Sequence, residues 1–98
     1  MMSMSQIRKD LRHIRYYYSK QKEFETVARA VGMHEIAETA ERYNAAVRKA
    51  PLRLYDVYVS LYIYNNTQLV LSFDWDCSVE YIRRLNKQLC EFFQRQLG

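Results

Sequence analysis

The sequence predicts an all-α domain of about five helices, on three observations. Only 2 Gly and 1 Pro interrupt 98 residues, too few breakers for a turn-rich sandwich or barrel. Apolar residues recur at steps of three and four over much of the chain, the period of a helix with one buried face. A threonine and a serine stand where two of the later helices should start. The length suits one domain over residues 1–98, with a helical pair in 1–50 and a second half in 51–98.

The first helix is expected from about Ser5 to Val31, because Ile7, Leu11, Ile14, Tyr17, Phe24, Ala28 and Val31 keep to one face, interrupted only at Gln21. Gly32 is a natural stop. Next to that apolar line, Arg8, Arg12, Arg15 and Lys22 return to a common face as a basic stripe. A second helix should run from His34 to Lys49 on Ile36, Ala40, Tyr43 and Val47, with Glu35, Glu38 and Glu41 near the positive end of its dipole. Pro51 forces Ala50 out of the helical region and can itself open a third helix.

From Leu52 to Tyr64 the chain is apolar almost all round, broken by Arg53, Asp56 and Ser60, and this marks it as the buried centre of the fold. Two readings stay open here. As a helix, the line Leu52, Tyr55, Val59, Tyr62 faces inward. On β propensity, Val57–Tyr64 and the run from Thr67 instead form a hairpin over 57–73 around Asn65-Asn66, giving an α+β fold. The closing helix, from Ser78 as its N-cap to Leu97, is unambiguous. Ile82, Leu85, Leu89 and Phe92 or Phe93 line its inner face, and Arg83, Arg84, Lys87 and Arg95 lie off it.

The formal net charge of +4 is unevenly placed. Arg8, Lys9, Arg12, Arg15, Lys20 and Lys22 against Asp10 alone make the first 22 residues strongly basic. The stretch 23–76 is net acidic and the last 22 residues are basic again. Basic ends suit an anionic partner. The opening residues hold no apolar stretch of the signal-peptide kind, and no window nears the roughly 18 apolar residues of a membrane helix. Cys77 and Cys90 read as two reduced thiols, so a cytoplasmic protein of the host cell is expected.

Enzyme chemistry is not expected. There is no glycine-rich phosphate loop, no HExxH and no CxxC. His13 and His34 stand alone, and Asp74 with Asp76 makes a poor metal site. No cofactor or metal is expected. Tyr16, Tyr17 and Tyr18 can stack on bases, but tyrosines beside an apolar line fit core and rim better.

From Thr67 the chain reads TQLVLSFDWDCSVEYIRRLNKQL. Thr67 can cap a short helix, Leu71 and Trp75 can face inward, Asp76 can make the turn, Cys77 can plug the two helices together, and Ser78 can cap the second. That is the order of a helix-turn-helix. The pattern resembles the DNA-binding fourth region of bacterial primary sigma factors. More closely, Ala50-Pro51, Leu54-Tyr55-Asp56, Asn66-Thr67-Gln68, Ser78 and Tyr81-Ile82-Arg83-Arg84-Leu85-Asn86 resemble a streptococcal-type phage protein family of about a hundred residues. That family is described as distantly related to the sigma region, with ArpU-like phage regulators nearby.

The resemblance implies a phage or prophage transcription regulator whose helix from Ser78 enters the major groove of double-stranded DNA. The positions that read bases in the sigma region fall on Val79, Glu80, Arg83 and Arg84; Lys87 lies on the same side. Glu80 can accept from a cytosine amino group, and the arginines can take phosphates or a guanine edge. Glu80 and Arg84 can also form an i, i+4 ion pair. Arg8, Arg12 and Arg15 would add phosphate contacts. Three departures stand out: Val79 where a polar residue is usual, Leu69, Val70 and Phe73 where Glu or Lys is usual, and Asp76 where Gly or Asn makes the turn. These suit a second reading, a phage-encoded protein that binds and inhibits a host factor in the manner of an anti-CRISPR or anti-sigma protein. A homodimer through the first helix is a third expectation.

Overall fold

The computed structural model describes residues 2–24 and 33–98, with side chains for 2–20 and 35–98. Among these residues the fold is all-α. Five α-helices follow in order: α1 (Met4–Phe24), α2 (Met33–Val47), α3 (Leu52–Tyr58), α4 (Gln68–Asp74) and α5 (Val79–Leu97), with a π-helical turn (Val59–Ile63) continuing α3. The expected stop at Gly32 and the inward positions Ala28 and Val31 lie outside the described residues, as do the side chains of Phe24 and Lys22.

Helix α1 starts one residue earlier than its pattern suggests, because the Ser3 hydroxyl accepts from the Gln6 backbone N–H at 3.1 Å and so caps it. Its expected line is buried at Ile7, Leu11 and Ile14, and α2 buries Ala40, Tyr43 and Val47. The wide stretch after Pro51 is helical, which removes the hairpin over 57–73. Its buried face differs from the expected line. Leu54, Val57, Tyr58 and Leu61 point inward, while Leu52 is 74% exposed and Tyr55 lies at the surface. A run that is apolar all round fixes the helix but not its rotation, and contact with α1 and α5 chose the other face.

The core closes around three rings. Tyr43 and Tyr58 each pack on Phe93, with centroids 4.7 and 5.5 Å apart, in the tilted and edge-on arrangements that aromatic pairs prefer. Buried hydroxyls need partners. Tyr43 donates to Asp10 Oδ2 at 2.7 Å. Tyr58 donates to Asn44 Oδ1 at 2.6 Å, and the Asn44 amide donates to the Tyr18 hydroxyl at 2.8 Å. Asp10 is only 6% exposed; it also accepts from Gln6 Nε2 at 2.8 Å and lies 4.0 Å from Arg42 Nη2. Nothing in the local pattern of the sequence marks this acid of the basic helix as buried.

This core has two measurable consequences. Replacing Asp10 with Ala leaves the Tyr43 hydroxyl buried without its acceptor, which should cost about 1–3 kcal/mol in denaturant unfolding. Replacing both Asp10 with Leu and Tyr43 with Phe should recover part of that loss, and strictly additive effects would show that the pair is not coupled. The second consequence concerns alkali. Burial above all, with the Asp10 bond and charge adding to it at Tyr43, holds the phenols of Tyr43, Tyr58 and Tyr62 well above their ordinary range. The unfolded chain therefore loses these protons first. Their contribution to stability is full below about pH 10, the ordinary tyrosine value, and declines as pH rises past it. Phenolate absorbance should show these three phenols ionising only together with loss of helical circular dichroism.

Candidate nucleic-acid interface

Thr67 and Ser78 do what their positions predict. The Thr67 hydroxyl accepts from the Val70 N–H and the Ser78 hydroxyl from the Tyr81 N–H, both at 3.1 Å, which starts α4 and α5 where the sequence places them. Between them the chain reverses through a Schellman ending. The Asp76 N–H reaches the Phe73 carbonyl at 3.2 Å and the Cys77 N–H reaches the Ser72 carbonyl at 2.9 Å. Asp76 has φ 50°, the left-handed conformation in which Gly or Asn is usual and Asp is tolerated.

Leu71 is buried, and half-buried Cys77 packs against the core beside it. Trp75 is only half-buried, and the Arg53 guanidinium lies 4.8 Å from the centre of its ring, a cation–π contact linking the start of α3 to the turn.

On α5, Ile82, Leu85, Leu89, Cys90, Phe92 and Phe93 are buried. Glu80, Arg83, Arg84 and Lys87 are exposed and Val79 is half-buried. These five expected positions thus share the solvent side of the helix that follows the turn. The expected Glu80–Arg84 pair is not formed. Glu80 binds Arg83 instead, at 3.1 Å between side chains that are both mostly exposed, a pair worth little in water.

The basic stripe of α1 lies beside this face. Gln94 Nε2 of α5 donates to the Met2 carbonyl at 3.1 Å, while Arg8, Leu11, Arg12 and Arg15 of α1 and Asn86 and Cys90 of α5 line one cleft of about 220 Å³. The two helices therefore run antiparallel along it. Arg83 and Lys87 sit within a turn of Asn86 and Cys90, on the outer shoulder of the same edge. Tyr62, from the π turn, also lines the cleft and donates to Asn86 Oδ1 at 2.5 Å. Asn65, with φ 61°, clips the following loop onto α1. Its Oδ1 accepts from Arg15 Nε at 2.9 Å and its amide donates to the Arg15 carbonyl at 3.3 Å.

The three arginines are legible in the sequence as a stripe, but Tyr62, Asn65, Asn86 and Cys90 are not legible as their neighbours. Those residues come from two segments distant from α1, so no local spacing could gather them.

Desolvation raises the Cys90 thiol above its ordinary range, with Arg8 opposing and the Glu91 charge adding. Only the thiolate reacts quickly, so Cys90, 2% exposed, should react with a thiol reagent far more slowly than half-buried Cys77. Peptide mapping after partial labelling checks this, and label found first on Cys90 would contradict the packing described.

Among the described residues, no group of three His, Cys, Asp or Glu side chains is placed to hold a metal ion, and no helix is long and apolar enough to cross a membrane. No protein-family model matches the chain, and neither a curated protein nor a solved structure matches it.

Proposed function

We propose that this chain is a DNA-binding transcription regulator that docks α5 in the major groove and steadies it through α1. One observation carries the reading: Arg8, Arg12 and Arg15 of α1 line a cleft whose other wall is Asn86 and Cys90 of α5, and exposed Arg83 and Lys87 stand three residues before those two on the same helix. A helix laid in the groove with Glu80, Arg83, Arg84 and Lys87 towards the bases would bring Arg8, Arg12 and Arg15 alongside a phosphate strand. The capped α4, the tight turn at Asp76 and the capped α5 supply the order of elements that a helix-turn-helix uses. The phage or prophage setting rests on the resemblance to the streptococcal-type phage family.

A second reading has its own observation. Helix α4 exposes Leu69 (55%), Val70 (43%) and Phe73 (75%) together, which water does not favour and a protein partner would cover. On that reading the chain is a phage-encoded inhibitor of a host factor.

Charge removal separates the two. Duplex binding should weaken steeply with salt, and Arg12→Ala should lower the slope of log affinity against log salt by roughly one. Glu80→Ala and Arg84→Ala should alter which sequence is preferred, at about 1–3 kcal/mol for each side chain that no longer hydrogen-bonds a base edge. Selection from random duplexes, followed by binding at several salt concentrations, gives both quantities. Binding that ignores sequence in every variant, beside partner capture abolished by Phe73→Ala in a folded protein, would overturn the regulator and leave the inhibitor.

A further inference from the structure

We propose that the cleft between α1 and α5 is a binding site for a single phosphoryl group, recognised by Arg8 and Arg12 with Arg15 and Asn86 behind them. The site rests on the cleft itself and not on the DNA reading. Three guanidiniums line it and, among the described residues, no carboxylate does. Asp10, the one acid on this stretch of α1, is turned away and held by Tyr43 and Gln6. Glu91 lies close enough to push up the Cys90 thiol but does not line the cleft.

Like charges gathered without a counter-charge attract an anion. A guanidinium fork pairs bidentately with carboxylate and phosphate alike, but three of them around one cleft are better matched by the higher charge and extra oxygens of a phosphoryl group than by a carboxylate.

Two of the groups are also held in place. Arg15 is fixed through its Nε by Asn65, which leaves its terminal nitrogens to other partners. Tyr62 occupies the Asn86 carbonyl oxygen, which turns the Asn86 amide into the free, donating end. Arg8 and Arg12 are exposed at the rim. The volume, about 220 Å³, is below the roughly 300–1,000 Å³ of sites that enclose a drug-sized ligand, so a phosphoryl group fits and the rest of a larger molecule stays outside. A free phosphate monoester and a backbone phosphate of a bound duplex present the same chemistry here.

The test titrates the full chain with inorganic phosphate and with adenosine 5′-monophosphate, using adenosine and acetate as controls at matched ionic strength. The side-chain amide of Asn86 and the Nε signals of Arg8 and Arg12 are followed by NMR. Saturable shifts of these signals with both phosphates and neither control are expected. Arg8→Gln with Arg12→Gln should weaken binding roughly tenfold or more, the scale of a lost charged hydrogen bond. Arg48→Gln, an exposed cation elsewhere, should change nothing. Both cleft arginines are exposed, so the double variant should keep its melting temperature; Arg12→Lys, which retains the charge, should bind between the two if it does not.

Competition between phosphate and duplex at constant ionic strength would assign the site to a backbone phosphate. Independent binding of the two would assign it to a free monoester. Shifts that never saturate, or that Arg48→Gln reduces equally, would overturn the proposal whether or not the chain binds DNA.

Discussion

The buried bond from Tyr43 to Asp10 sets the orientation on which the surface of this protein depends. A short chain that fills its centre with tyrosines must find a partner for every hydroxyl it buries. Asp10 answers Tyr43 at 2.7 Å, and it can do so only if one side of α1 lies on α2. Helical geometry then fixes the rest of α1. With Ile7, Leu11 and Ile14 inward and Asp10 against α2, Arg8, Arg12 and Arg15 must lie on the opposite flank, along α5. One acid inside the core thus decides where three cations stand, two of them exposed.

The π turn does the corresponding work from below. Val59–Ile63 widens the end of α3 where it meets α1, and Tyr62 from this turn lines the cleft between α1 and α5 and bonds Asn86. Widened turns of this kind recur at functional sites. The loop beyond it is secured at Asn65, whose left-handed backbone and two bonds to Arg15 join the end of the turn to the basic stripe. Arg15 accordingly has a structural bond and a free end, whereas Arg8 and Arg12 stand at the open rim.

Much of the fold is legible in local pattern. The inner faces of α1, α2 and α5, the break at Pro51 and the caps at Thr67 and Ser78 each follow from residues close in sequence. Legibility ends where the local signal is symmetrical or absent. Leu52 to Tyr64 has too few polar residues to give a phase, so the expected inward line lies part of a turn from the buried one, and strand propensity in Val57–Tyr64 gives way to tertiary packing. Asp10 looks like one more charge on a solvated helix, because its partner lies 33 residues away. The cationic half of the cleft is visible as a stripe, but its other wall requires the fold. Glu80 has two basic neighbours at helical spacing, and spacing alone does not choose Arg83 over Arg84.

The two functional readings need not compete for the same surface. Leu69, Val70 and Phe73 occupy the side of α4 opposite buried Leu71, whereas the basic edge belongs to α1 and α5. A free-standing helix-turn-helix would gain from polar residues on that side of α4, since exposed apolar side chains there do nothing for groove binding and lower solubility. Their presence therefore asks for a separate explanation from the arginines. A regulator that recruits or blocks another protein while bound to DNA would use both surfaces at once, and an inhibitor acting away from DNA would use the apolar side of α4 alone or with a small phosphorylated ligand in the cleft. The arginines of the cleft thus speak for an anionic partner and the apolar side of α4 for a protein one, and because they lie on different helices each can be removed without touching the other.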